Sequence, residues 1–464
     1  MSFVSTHFLV FLSIVFALYH LSGSVRLQNL IILIASYVFY GSWDWRFISL
    51  LLAISLANYV AAILIERFKD PKGRKTILWI AISISLFALA VFKYFNFFVF
   101  SAVSAANLFG LKLHVPVANI LLPLGISFMT FQGIAYVVDV WRGEHKAELD
   151  IVRFLAFKAF FPQLIAGPIE RASHLLDQFS RPRTLDAYKL GRAMWLLIYG
   201  YSLKIVVADS LAPIVDSLFV PHQPFGWSVV LGTLAFGLQI YADFCGYSVI
   251  AKGVALLLGF DLIWNFRFPY WATSISDFWR RWHISLSNWL RDYLYIPLGG
   301  NRYGAISTSR NLLLTMGLGG LWHGASWNFV FWGLLHGVAL TLWRFLPASI
   351  PLVASAGNVV GWVATMMVVF VGWFLFRATT WDVLFTMTMA LRNWEWAPVH
   401  SALVVTLVTL ALPLGLLEWL LQRRGDFFPL HTPVWLAYPA YAALIVICLA
   451  MSSHYHASFI YFQF

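Results

Sequence analysis

Residues 228–251 read SVVLGTLAFGLQIYADFCGYSVIA. A run of about 20 predominantly apolar residues is long enough to cross a bilayer as a helix. The apolar side chains follow one another without the alternation of a barrel strand. Lipid offers backbone N–H and C=O groups no partner, so the run is read as a helix that satisfies its own backbone. One carboxylate, Asp243, stands inside it, together with Gln239, Tyr241 and Tyr247. A charge at membrane depth is costly and by default faces a partner or a cavity. Lys252 is out of i,i+4 reach, which leaves Arg280 and Arg281 as long-range partners for Asp243.

The rest of the chain repeats that pattern. Of 464 residues, 61% are hydrophobic and 11% charged, against about 45–50% and about 25% in a soluble domain. The chain is therefore expected to be an all-α polytopic membrane protein, a single membrane domain over 1–464 with lipid as solvent for much of its surface. Apolar runs at Phe3–Leu21, Leu30–Trp43, Ile48–Ile65, Ile77–Phe100, Asn119–Val140, Trp195–Phe219, Ser228–Ala251, Trp327–Trp343, Val359–Phe376, Ala402–Leu421 and Val434–Met451 lead to about eleven or twelve spans. The first run has no basic leader or small-residue cleavage site and is expected to be retained. Trp381–Trp396 is expected to be a short amphipathic segment at an interface.

The net charge of +11 is read as topology rather than as a nucleic-acid surface. RFKDPKGRK is the strongest short basic loop, and the loop Asn107–Ala118 that follows it is weakly charged. That puts RFKDPKGRK and the later loop RGEHKAELD in the cytoplasm and the N-terminus outside. Phe154–Ile169, FLAFKAFFPQLIAGPI, is short and broken by Pro162, Gly167 and Pro168. It is read either as a re-entrant segment walling a cavity or as a kinked helix. Cys245 and Cys448 lie in apolar runs and build neither a disulfide framework nor a metal cluster, so no metal and no bound cofactor is expected. The chain shows no internal repeat, low-complexity tract or soluble domain.

Chemistry concentrates in residues 264–335. Thr273, Ser274 and Ser276 precede Asp277, a helix start with hydroxyl caps and an acid in the first turn. The helix is expected to continue through Arg280, Arg281 and His283, with Asp277 holding an arginine on its own face. Taken alone, it would be an amphipathic helix on headgroups. His323, in LLLTMGLGGLWHGASW, lies between apolar spans, with glycines that let helices approach closely. A buried histidine there needs a partner or a function. The two histidines are each flanked by tryptophan, in RRWHIS and GLWHGASW, while His336 in GLLHG is assigned a structural role.

These stretches, with PQLIAGPIER and QIYADFCGYSVIAKGVALLLGF, resemble the membrane-bound O-acyltransferases over residues 30–345, and the closing FIYFQF fits as well. The resemblance is strongest to the bacterial branch that O-acetylates alginate and similar exopolysaccharides. The branch that moves D-alanine to teichoic acids is more distant. The resemblance implies a bundle of about 11–12 transmembrane helices with re-entrant and amphipathic pieces around a central tunnel. Its core motifs would lie in 150–345 and its C-terminal transmembrane helices in 355–455. It implies His323 as the tunnel histidine and His283 as its upstream partner. Cys245 departs from the serine expected in DFSGYS, a near-isosteric change.

The resemblance further implies acetyl-CoA as a cytosolic thioester donor and transfer across a bacterial inner membrane. Periplasmic acetylesterase-like (SGNH-type) proteins would complete the transfer to polymer, with membrane lipids as surroundings and no nucleic acid. A thioester is already activated, so the enzyme needs position, a proton acceptor and oxyanion stabilisation. His323 is the expected general base and His283 the orienting group, with an acyl-His intermediate as the alternative route. Asp277, Arg280, Arg281, Trp322, Asp243 and Tyr241 are the candidate donor- and substrate-binding residues. The competing readings are a D-alanyl- or lipid-acylating enzyme of the same family, a transporter, and a scaffold of a polysaccharide secretion complex. A transporter built on paired interrupted helices predicts an internal repeat, which the sequence lacks.

Overall fold

Helix starts are set by short polar side chains. Ser5, Ser24 and Asp70 accept backbone N–H groups of the first turns of α1 (Thr6–Leu21), α2 (Val25–Asp44) and α4 (Pro71–Leu89), on either side of α3 (Phe47–Arg67). The computed structural model describes residues 1–111, 120–165, 167–220, 225–346, 359–378, 380–452 and 459–460, and among these it is helical with no strand. Parts of the expected Asn107–Ala118 loop and of the closing FIYFQF run lie outside the described residues.

The chain divides into two compact units, Met1–Lys189 with Val254–Ile263, and Leu190–Gly253 with Trp264–Phe464. In the first, α4 runs through a π turn into α5 (Phe95–Leu108), followed by α6 (Ile126–Arg142), α7 (Ile151–Ala159), the short α8 (Phe161–Leu164) and α9 (Ala172–Leu175). The broken segment expected around Pro162 is the α7–α8 junction. Gly125, at φ +68°, brings the start of α6 so close to α8 that a Cβ there would lie 2.7 Å from the Leu164 carbonyl oxygen. Arg183 ties this unit together: its guanidinium donates to Asn29 Oδ1 at 2.8 Å and Gln28 Oε1 at 3.1 Å and lies 4.7 Å from the Phe260 ring.

The second unit holds most of α10 (Ala187–Tyr201), α11 (Asp209–Leu218), most of α12 (Gly226–Leu257), α13 (Ile275–Arg281), α14 (Ile284–Leu290), α15 (Gly304–His323), α16 (Trp327–Phe345), α17 (Val359–Arg377), α18 (Trp381–Ala390), α19 (Pro398–Arg424) and α20 (Val434–Met451). The helices α15 and α16 form a close hairpin. Gly320 of α15 faces the Phe329 carbonyl of α16, and Gly333 of α16 faces the Met316 carbonyl of α15.

Eight helical stretches among the described residues are long and apolar enough to cross a membrane. That is fewer than the eleven or twelve runs expected. The hairpin α15–α16 falls outside this set because glycine, tryptophan, asparagine and histidine lower its hydropathy, and α6 because it has 17 residues. Leu9, Ile14 and Leu18 of α1, Val405, Leu412 and Leu416 of α19, and Leu436 and Leu449 of α20 are exposed. Large apolar side chains left exposed along whole helices fit lipid rather than water.

Candidate active site

The site is built on a turn, not on a helix. Ser274 caps α13 by accepting the Asp277 N–H at 3.0 Å, as the sequence predicts, but α13 ends at Arg281. The expected continuation through His283 is wrong. Trp282 is extended, and His283 adopts left-handed backbone at φ 43° and ψ 54° before α14 begins. The reason is tertiary. The Ile284 N–H donates to the Asn265 carbonyl at 2.9 Å and the Arg267 N–H to the Arg281 carbonyl at 3.0 Å, so residues 265–267 draw the chain out of the helix. Left-handed backbone at a side chain with a Cβ costs roughly 1–2 kcal/mol. It turns the His283 side chain into the interior, where the residue is fully buried.

His323 ends α15 and is buried. Its ring lies 6.2 Å, centroid to centroid, from that of His283. Trp322 contacts both, at 5.8 Å from His283 and 5.0 Å from His323. Phe244 of α12 meets His283 edge-on at 4.7 Å, and Trp332 of α16 and Phe376 of α17 wall His323 at 5.0 and 5.7 Å. His336 stands on the far side of the site: Trp332 contacts it at 5.0 Å, and Phe278 and Trp279 enclose it. The two imidazoles thus lie beside each other inside an aromatic shell.

The other predicted residues are distributed around this pair. Asp277 holds Arg281 at 2.9 Å, while Arg280 is exposed and donates from Nε to the Ser276 carbonyl. Asp243 does not pair with either arginine. The Lys204 ammonium donates to it at 2.6 Å and to Asp209 at 2.7 Å, and the Ile460 N–H donates to its other oxygen at 2.7 Å. Lys204 reaches inward from a π turn, Ser202–Ala208, in the middle of the α10–α11 run. The Tyr241 hydroxyl donates to Glu418 of α19 at 2.6 Å, and its ring lies 6.2 Å from Trp282.

Sequence reasoning missed Asn265, Lys204, Glu418 and the walls Phe244, Trp332 and Phe376. Lys204 and Glu418 were findable, since each is a charge inside an apolar run, as Asp243 is. The walls carry no such mark in a chain that is 18% aromatic.

The chain is similar to known proteins over most of its length. The model of the membrane-bound O-acyltransferase family matches residues 142–381, a stretch that contains His283 and His323. A probable alginate O-acetylase of Pseudomonas putida is 38% identical over the whole of both chains. One of Azotobacter vinelandii is 43% identical over 88% of this chain and 82% of its own. A peptidoglycan O-acetyltransferase of Helicobacter pylori is 34% identical over 75% of this chain and 70% of its own. The chain belongs to the membrane-bound O-acyltransferase family. It is a multi-pass membrane enzyme that transfers an acyl group to a hydroxyl. The bare requirements of acyl transfer are a base beside the acceptor oxygen and shelter from hydrolysis. Among the described residues, His283 and His323 are two buried imidazoles within one aromatic shell.

Proposed function

We propose that this acyltransferase O-acetylates a secreted polysaccharide such as alginate from the bacterial inner membrane, taking acetyl from acetyl-CoA on the cytosolic side. The observation that carries the chemistry is the buried His283–His323 pair, 6.2 Å apart within one aromatic shell. The identity of the acyl group and of the acceptor class rests on full-length similarity to the alginate O-acetylases.

In the proposed reaction the acceptor hydroxyl hydrogen-bonds to an imidazole nitrogen of His323. As the oxygen attacks the thioester carbonyl carbon, its proton passes to that nitrogen. The C–O bond forms, the C–S bond breaks, and the thiolate of coenzyme A leaves and recovers the proton. His283 orients the acceptor and stabilises the charge that develops. Arg280, exposed at the end of α13, would meet the donor's phosphates, with Arg281 held beside it by Asp277. Periplasmic acetylesterase-like proteins of the SGNH type are the proposed onward partners.

The test uses the enzyme in nanodiscs with radiolabelled acetyl-CoA. Wild type consumes the donor or carries label, and His323→Ala falls by about 10²-fold or more at unchanged monodispersity, the scale on which catalytic acid–base groups act. Wild-type turnover by His323→Ala would refute the assignment of the base. Loading only from a D-alanyl carrier protein would refute the acetyl group and favour the D-alanyl-transferring reading.

A further inference from the structure

His283 holds a backbone conformation that its own chain resists, so something must hold it there. The hydrogen bonds on its C-terminal side converge on one residue. Asn265 accepts the Ile284 N–H with its carbonyl at 2.9 Å. Its side-chain Oδ1 accepts the Ser285 hydroxyl at 2.7 Å and the Ser285 N–H at 3.3 Å. Its Nδ2 donates to the Ser248 hydroxyl of α12 at 3.3 Å. Ser248 lies one turn beyond Phe244, the ring that meets His283 edge-on at 4.7 Å. Asn265, Ser285 and Ser248 are all buried.

We propose that Asn265 is a positioning residue of the acyl-transfer site: it fixes residues 284–285 against α12 and so holds His283 in the left-handed turn that faces its imidazole to His323. An amide suits the place because it accepts from the turn and donates to the helix at once. Both bonds lie between buried groups, so loss of the amide leaves the turn held by the Asn265 and Arg281 carbonyls alone. His283 then relaxes toward ordinary helical backbone and its ring leaves the alignment. Asn265 acts through His283 and touches neither donor nor acceptor. The proposal rests on the catalytic reading of His283 given above.

The experiment measures kcat and KM for acetyl-CoA per folded molecule in nanodiscs, with thermal melting alongside, for Asn265→Ala, Asn265→Asp, Ser285→Ala and His283→Ala. Asn265→Ala is expected to lower kcat by about 10²-fold with KM within about threefold, the scale of a misplacement near 1 Å. Ser285→Ala, which removes one bond and keeps the amide, is expected to lose about tenfold by the same reasoning. Asn265→Asp keeps the Oδ1 acceptor and is expected to recover most of the rate. If Asn265→Ala does not fold, Ser285→Ala and Asn265→Asp carry the test. Full kcat in Ser285→Ala and Asn265→Ala with a lowered melting temperature would make the residue merely structural and overturn the proposal. A raised KM at unchanged kcat would make it a binding residue and overturn it too. If His283→Ala is inactive while the Asn265 variants are active, positioning alone has failed. If His283→Ala is fully active, the reading of His283 has failed and takes Asn265 with it.

Discussion

Replacing Gly320 by alanine tests how His323 is held. A Cβ at Gly320 would lie 2.0 Å from the Phe329 carbonyl oxygen, 3.0 Å from its carbon and 3.2 Å from the Gly333 Cα. All three are backbone atoms, so no side-chain rotation relieves the clash. Contacts of this kind are seldom under 3.4 Å, so α15 and α16 must part by about 1.4 Å at this crossing. His323 is one turn beyond Gly320 on α15, while Trp332, the wall it packs against at 5.0 Å, is on α16. The separation therefore acts on the relation between the base and its wall. Overpacking a core costs about 1–3 kcal/mol, and backbone against backbone belongs at or above the top of that range. A displacement of this size lowers kcat by about 10²-fold. The assay is acetyl transfer per folded molecule in nanodiscs together with the melting temperature. Gly415→Ala is the control, because its Cβ meets nothing within 4 Å on α19 and it should leave both unchanged. Wild-type kcat and melting temperature in Gly320→Ala would refute the account of the hairpin as the support of His323.

Two further outcomes concern charges away from the histidines. Lys204→Met strands Asp209 and Asp243 in the interior and should cost about 3–5 kcal/mol in melting experiments, with part recovered by adding Asp243→Asn; no loss would refute the ion cluster. Asp150 caps α7, and although burial pushes its carboxyl up, the backbone N–H and guanidinium of Arg153 outweigh this and hold it below the usual range. A depressed carboxylate stabilises above its unfolded pKa of about 3.9 and loses that contribution as pH falls through the folded value. Asp150→Asn should therefore flatten the acid limb of the melting-temperature profile, and an unchanged slope would refute the assignment.

The helices were legible because lipid imposes a simple demand: apolar runs such as Val434–Met451 declare themselves, and the helix matches that expectation end for end. The histidine pair was legible for the converse reason, being polar where polarity is expensive. The turn at His283 was not. Residues 274–282 carry a sound helix start, and nothing local forbids the next residue from continuing. The break comes from residues 265–267, which precede His283 by a turn-rich stretch and meet Arg281, Ile284 and Ser285 only in the folded chain. The partner of Asp243 was misjudged for a related reason. Arg280 and Arg281 stand in the charged stretch, whereas Lys204 is a single charge inside an apolar run and reaches Asp243 only in the folded chain.

The aromatic shell answers a problem that the proposed reaction poses. A base that can deprotonate a sugar hydroxyl can equally deprotonate water, and a thioester beside it would then be spent on hydrolysis. Rejecting water through hydrogen-bond geometry alone is poor, because water satisfies any donor or acceptor that a hydroxyl does. Exclusion by volume is better. Trp282, Trp322, Trp332, Trp373, Phe244 and Phe376 are all buried around the histidines and fill space with rigid, weakly polar surface. Rigid walls, however, tolerate only one placement of the imidazoles between them. The strained turn at His283 and the glycine-paired hairpin beneath His323 follow from that requirement: each fixes one ring through backbone, leaving the side chains of the shell free to serve as wall.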